Sequence, residues 1–139
     1  MTNFEKAEKF FHACESVKGW DACKDLVAEG ATFGGQCEPL AEIKTVKEYV
    51  EWMAGLGTVT APGCSYKLHS ASYDEANKTA LFFATYTLTH TGDGGPVPAT
   101  NKTANADYVY AITMNENGKI AAITKIWNAS WTLRELGWM

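Results

Sequence analysis

The chain has 139 residues, a length typical of one compact domain, and 46% of them are hydrophobic, which is enough to build a core. Its formal net charge is −4 and its Lys and Arg residues are spread singly along the chain, so a nucleic-acid partner is not expected. Charged residues interrupt the first 17 positions repeatedly, which leaves no apolar run for a signal peptide or a membrane span. The sequence therefore predicts a cytoplasmic protein without a membrane partner.

The amino-terminal part of the chain predicts three helices. Apolar residues within 4–17 recur at the spacing of one helical face, after a Thr-x-x-Glu capping box. A second, short helix is predicted from Trp20 to about Ala28. Another capping box, Thr45 with Glu48, opens the third helix, which a Gly-Leu-Gly sequence closes.

The remainder of the chain has the texture of strands. A short strand is expected at 31–36, and longer ones rich in Tyr, Phe, Thr, Ile and Val are expected at 65–73, 79–90, 105–114 and 119–127. Tight turn signals, above all Asn117-Gly118, separate the long strands, which predicts an antiparallel meander. The predicted fold is a single α+β domain over residues 1–139, in which a curled antiparallel sheet packs on three N-terminal helices and leaves room for a small-molecule pocket.

Two segments resemble SnoaL-like proteins of the nuclear transport factor 2-like superfamily. The run NGKIAAITKIWNASWTLRELGW at 117–138 is similar to the closing strand and tail of that family, and THTGDGGPVPATNKTANADYVY at 89–110 is similar to the run before its longest strand. The resemblance implies a cone-shaped, cystatin-like α+β barrel, usually homodimeric, with a pocket open at one end. Members include polyketide cyclases, ketosteroid isomerases, dehydratases, epoxide hydrolases and non-catalytic binding modules, so the residues must indicate the function.

The carboxylates on which two of these activities depend are missing here. The general base of the ketosteroid isomerases would fall near Gly35, and the acid–base aspartate of the cyclases at Ala111 or Val109. The tail aspartate of the family corresponds to Asn128, which keeps hydrogen-bonding capacity without the charge.

Asp107 is the carboxylate that we expect to replace them. Side chains alternate along a strand, so Asp107, Val109 and Ala111 share a face and Asp107 could point into the pocket as an acid or base. His90, at the end of the preceding strand, could relay a proton to it. Alternatively, Asp107 caps the glycine-rich loop or pairs with Lys102, and His90 is a rim histidine.

Several aromatic residues are candidates for contacts with an apolar or aromatic ligand. The predicted ligand-binding residues are Tyr86, Trp52, Phe33, Tyr108, Trp127 and Asn128. Strand alternation allows only one of Trp127 and Asn128 to face inward. The alternative is that most of these aromatic side chains simply fill the core.

No cofactor or metal is expected. The loop GDGG at 92–95 lacks the Lys-Ser/Thr pair and the following helix of a phosphate-binding loop, and is interpreted as a lid or a flap at a dimer contact. The four cysteines form no C-x-x-C pair and are predicted to be free thiols, and the three histidines lack metal-site spacing. The leading hypothesis is cofactor-free acid–base chemistry, such as cyclisation, isomerisation or dehydration, and the alternative is a non-catalytic ligand-binding or dimeric interaction module.

Overall fold

The computed structural model describes all 139 residues. The helices are α1 (Asn3–Glu15), α2 (Trp20–Cys23), α3 (Val46–Gly55) and α4 (Ala129–Glu135). The strands are β1 (Val27–Gly35), β2 (Ser65–Asp74), β3 (Thr79–Thr89), β4 (Thr103–Met114) and β5 (Ile120–Trp127). None of the helices has the length and apolar content that crossing a membrane requires.

Both predicted capping boxes are present. At the start of α1 the Thr2 hydroxyl accepts a hydrogen bond from the backbone N–H of Glu5, and the Glu5 carboxylate accepts one from the backbone N–H of Thr2. Thr45 and Glu48 make the same reciprocal pair at the start of α3. These bonds satisfy amide donors that a helix leaves free at its first turn.

The second helix is shorter than the sequence suggests. α2 ends at Cys23 and continues as one 3₁₀ turn to Leu26. The predicted end near Ala28 is wrong because Val27 already has extended backbone and pairs with Ile120 of β5. Pairing with the sheet outweighs the helical pattern here.

The sheet has the order β1-β5-β4-β3-β2 and does not close into a barrel. Strands β2 to β5 form the predicted antiparallel meander, and β1 adds to β5 in parallel at the edge. The α+β fold with helices on one face of the sheet is confirmed. A fourth helix, α4, which was not predicted, follows β5 and begins at Asn128, whose side chain accepts a hydrogen bond from the backbone N–H of Trp131.

Strict alternation separates the two faces of the long strands. On β4 the side chains of Ala104, Ala106, Tyr108, Tyr110 and Ile112 are buried against the helices, and those between them are exposed or partly exposed. On β3 the inward series runs through Ala84, Tyr86 and Leu88 and ends at His90. The inward faces of β3, β4 and β5 therefore form the floor of the space beneath α1, α3 and α4.

Candidate active site

An apolar pocket lies between the sheet, α3 and the C-terminal segment. Its inner cavity has a volume of about 50 Å³ and is lined almost wholly by apolar atoms. The lining residues are Pro39, Trp52, Met53, Leu56, Tyr86, Leu88, Ala106, Tyr108, Lys125, Trp127, Thr132, Leu133, Leu136 and Trp138. A wider vestibule of about 710 Å³ shares Trp52, Leu133 and Trp138 with this cavity. A small head group therefore fits the inner cavity, and a larger apolar body fits the vestibule.

A carboxylate is buried behind the cavity, at the last residue of α1. The side chain of Glu15 is fully enclosed, at 1% exposure. Its Oε1 accepts a hydrogen bond from the Tyr110 hydroxyl at 2.6 Å, and its Oε2 accepts one from the hydroxyl of Tyr108. The two tyrosines are neighbours on the inward face of β4, so the strand presents both hydroxyls to the end of α1.

Hydrogen bonds connect this carboxylate to the amine of Lys125, which lines the cavity. Lys125 Nζ donates to the Tyr49 hydroxyl at 3.0 Å, and the Tyr49 hydroxyl lies against that of Tyr110. We call the chain Lys125, Tyr49, Tyr110 and Glu15 the buried relay. Its members come from β5, α3, β4 and α1, so only the folded chain assembles it.

The hydrogen-bond directions in the buried relay are determined by its ends. Tyr110 uses its hydroxyl proton on Glu15, so Tyr49 must donate to Tyr110, and Tyr49 in turn accepts from Lys125. All protons therefore point from the amine toward the carboxylate. A concerted shift along the chain would convert an ammonium and a carboxylate into a neutral amine and a neutral carboxylic acid.

Burial favours that neutral form at both ends. Desolvation raises the pKa of Glu15, and the attraction of Lys125 and the hydroxyls of Tyr108 and Tyr110 only partly oppose it. Desolvation likewise lowers the pKa of Lys125, against the attraction of Glu15. The two pKa values are thus pushed toward each other, which is the condition for moving a proton between the groups at low cost.

Aromatic rings surround the amine. Lys125 Nζ lies 4.6 Å from the ring centroid of Trp127, 5.2 Å from that of Tyr108 and 5.8 Å from that of Trp52. All three rings line the inner cavity, so the amine is adjacent to the space that a ligand would occupy. The rings stabilise a positive charge at this position through their faces while excluding water from it.

The predicted Asp107–His90 pair is not assembled. Asp107 is exposed on the outer face of the sheet, where its carboxylate accepts a hydrogen bond from Thr85 at 2.6 Å. His90 is buried on the inner face at 1% exposure, so the two side chains point to opposite sides of the sheet. The prediction that Asp107 shares the pocket is wrong because the inward positions of β4 are the even-numbered ones, which also excludes Val109 and Ala111.

His90 contributes to closing the pocket. Its Nδ1 accepts hydrogen bonds from the Trp138 ring N–H at 2.8 Å and from the backbone N–H of Thr100 at 3.4 Å. Since Nδ1 accepts, Nε2 carries the proton, and Nε2 is buried beside Gly95 without a hydrogen-bond partner. The imidazole therefore joins the C-terminal segment to the 90–102 loop.

The predicted ligand-binding residues divide into two groups. Trp52, Tyr86, Tyr108 and Trp127 line the inner cavity. Phe33 instead stacks on Tyr49 with 4.1 Å between centroids and is not part of the cavity lining, and Asn128 caps α4. Of the neighbours Trp127 and Asn128, it is Trp127 that lines the cavity.

Glu15 and Lys125 were not identified from the sequence, although their positions carried a signal. Glu15 follows Phe11 by four residues and so continues the apolar face of α1. Lys125 follows Ile123 by two residues and so shares the inward face of β5. A charged residue on an otherwise apolar face is uncommon unless it is paired, and this pattern identifies both Glu15 and Lys125 as unusual residues in the sequence.

No group of three or more His, Cys, Asp or Glu side chains that could hold a metal ion is present.

Comparisons with known proteins place the chain among related folds. The model of the SnoaL-like domain family matches residues 7–123. Similar solved structures include a protein from Jannaschia sp. CCS1 provisionally classed as a SnoaL-like polyketide cyclase, with a TM-score of 0.79, 13% identity and coverage of 96% of this chain and 90% of the other. No curated protein matches the sequence significantly.

Two further structures show the range of this fold. An NTF2-like protein from Burkholderia thailandensis E264 has a TM-score of 0.75 and 15% identity, with 97% of each chain covered. An LEH-like epoxide hydrolase from M. tuberculosis has a TM-score of 0.68 and 11% identity, with 96% of this chain and 88% of the other covered. At these identities the likeness shows the fold alone.

Proposed function

Because the chain belongs to the SnoaL-like domain family, whose model covers residues 7–123, we propose that it binds a small, largely apolar or aromatic carbonyl compound and catalyses proton transfer at the carbon next to the carbonyl. The observation that carries this proposal is the buried relay, which ends in an amine at the wall of an apolar cavity. Such a step needs a positioned acid and base in a dry site and no cofactor, and it underlies cyclisation, isomerisation and dehydration.

Lys125 is the base in this scheme. In the neutral form of the buried relay, Glu15 holds the proton. Rotation about the Cε–Nζ bond of Lys125 then turns the amine lone pair toward the cavity. Lys125 then takes a proton from the substrate carbon, and the resulting ammonium lies beside the enolate that forms. The developing negative charge is thus stabilised by a nearby positive charge in a medium that screens it weakly.

Deuterium exchange tests the proposal without knowledge of the natural substrate. Small aryl ketones in D₂O are followed by NMR for deuterium incorporation next to the carbonyl, with and without the protein. We expect the wild type to exceed the buffer rate and Lys125→Met to fall to it. Lys67→Met, which removes an exposed amine from β2, is the matched control and should retain the wild-type rate.

Tyr110→Phe tests the relay as distinct from the amine. This change removes the hydroxyl between Tyr49 and Glu15, and Tyr110 does not line the cavity, so ketone affinity should be retained. We expect the exchange rate to fall by about 10²-fold, within the range typical of general acid–base catalysis. Tyr73→Phe, which removes a hydroxyl bonded only to Asn3, is the control. An unchanged rate in Tyr110→Phe, or no exchange by the wild type with any ketone that binds, would contradict the proposal.

We also propose that two copies of the chain pair through the outer face of the sheet. Five apolar side chains, which we call the outer apolar patch, are exposed or partly exposed there: Leu81, Phe83, Val109, Ala111 and Ile126. Phe83 lies opposite Val109, and Val109 opposite Ile126, so three adjacent strands contribute to one continuous surface.

The cellular location is a separate point. A cytoplasmic location stays a prediction, and the four free thiols are compatible with a reducing compartment.

A further inference from the structure

We propose that Lys125 forms a covalent imine with aldehydes or ketones that carry an apolar or aromatic body, so that the pocket is an amine-catalysis site. This inference rests on the proposed function, because it places the carbonyl of the same class of substrate in the same cavity. It goes further by giving Lys125 the role of nucleophile in addition to that of base.

The position of Lys125 distinguishes it from every other amine in the chain. It is the one buried lysine, and the other ten are exposed or partly exposed. Its side chain lines the inner cavity, and its Nζ is adjacent to three rings that also line it. A carbonyl carbon in this small cavity, with its substituent in the vestibule, would lie next to the nitrogen.

The amine also makes no direct ion pair. Neither of the two salt bridges in the structure involves Lys125, and Nζ makes a single hydrogen bond, to Tyr49. A lysine in direct contact with a carboxylate is held as a charged donor without a lone pair. Here the carboxylate is two hydroxyl groups away, so no direct contact with it holds the proton on the amine.

The reaction balances with the groups that are present. The amine lone pair attacks the carbonyl carbon, the carbonyl π electrons move to oxygen, and that oxygen takes the proton released by the nitrogen to give a carbinolamine. The hydroxyl then takes a second proton, which Glu15 supplies through Tyr110 and Tyr49, and leaves as water while the nitrogen lone pair forms the C=N bond. The products are the protonated imine and one water molecule, and the Glu15 carboxylate is regenerated as counter-charge. A desolvated lysine in an apolar pocket is the usual form of an amine nucleophile.

Reductive trapping tests the inference on the wild-type protein. The protein is incubated near neutral pH with a slight excess of 3-phenylpropanal and sodium cyanoborohydride, then digested and mapped by mass spectrometry. We expect the peptide that contains Lys125 to carry most of the alkyl adduct, in preference to the peptide with Lys67, because burial lowers the pKa of Lys125 and so raises the fraction of neutral amine. Lys125→Met should lose the dominant adduct, and Lys67→Met should keep it.

Equal modification of the surface lysines with no adduct at Lys125 would overturn the inference. This readout uses the wild type, so it holds even if Lys125→Met does not fold. The two proposals also fail separately. Lys125-dependent deuterium exchange without an adduct would leave the proton-transfer function standing and remove the imine. A Lys125 adduct without exchange would support the imine and remove the proton-transfer function.

Discussion

Glu15 and Lys125 place a carboxylate and an amine in an interior that consists mainly of aromatic and aliphatic side chains. Substituting only one of the two residues leaves the other as an uncompensated buried charge. Substituting both by uncharged residues of similar size does not. We therefore expect Glu15→Gln to destabilise the fold by roughly 3 kcal/mol. The double variant Glu15→Gln with Lys125→Met should be more stable than either single variant. Urea denaturation at pH 7 measures all four proteins.

The pH dependence of the single variants should have opposite signs. In Glu15→Gln the remaining Lys125 has a folded pKa below its unfolded value, so the unfolded state binds more protons and stability rises with pH toward about 10.4, the ordinary lysine pKa. In Lys125→Met the remaining Glu15 has a folded pKa above its unfolded value, so stability falls as pH rises from about 4.3 through the folded pKa. Parallel pH profiles of the two variants would refute the electrostatic account of this site.

The misassignment of Asp107 shows which information the sequence lacked at the level of single residues. Alternation along β4 was predicted correctly, but alternation alone does not say which of the two faces meets the helices. The aromatic Tyr108 and Tyr110 occupy one face and the aliphatic Val109 and Ala111 the other, so both faces are apolar. Asp107 is assigned to the pocket because it shares a face with Val109 and Ala111, the positions that the resemblance matches to the acid–base aspartate of the cyclases, and that face is the outer one.

At the level of elements, local signals were sufficient wherever the chain itself specifies the ends. The capping boxes before α1 and α3, the Asn117-Gly118 turn and the four long strands are local features, and each lies at or close to its predicted position. The first strand was predicted at 31–36, but β1 already begins at Val27, which pairs with Ile120. The end of α2 and the existence of α4 depend on contacts with distant segments. Val27 pairs with Ile120, and the Thr100 hydroxyl donates to the carbonyl of Leu136, and neither contact is visible in a local pattern.

The C-terminal segment closes the pocket, which gives it a testable role. The Trp138 ring lines both the inner cavity and the vestibule and is held by its hydrogen bond to His90. Trp138→Ala should join the two spaces and speed the entry and exit of ligands by several-fold, because the closing element becomes easier to displace. Stopped-flow fluorescence with a naphthol gives both rate constants. Trp131→Ala, which removes an exposed indole from α4, is the control and should leave both constants unchanged.

At the level of the whole molecule, the proposals assign a separate use to each face of the sheet. The inner face carries the cavity and the buried relay, and the outer face carries the outer apolar patch. Asp107 accepts a hydrogen bond from Thr85, and Asn105 accepts one from Thr87. These residues border the outer apolar patch as a polar rim. A contiguous apolar surface with a polar border is typical of a protein–protein contact, and the same surface on a second copy is self-complementary under two-fold symmetry.

Ile126→Glu tests this contact, because Ile126 is 64% exposed and stands beside Val109 in the outer apolar patch. A charge placed there should be desolvated in the dimer and accessible to water in the monomer, so the variant should be monomeric. We expect light scattering to give the dimer mass for the wild type and the monomer mass, 15.2 kDa, for the variant. Val59→Glu, at an equally apolar position that is 54% exposed but not on the sheet, should stay dimeric. Since Ile126 points away from the cavity, deuterium exchange by Ile126→Glu should persist. A wild-type protein that is monomeric at all concentrations would refute the pairing without affecting the chemistry proposed for Lys125.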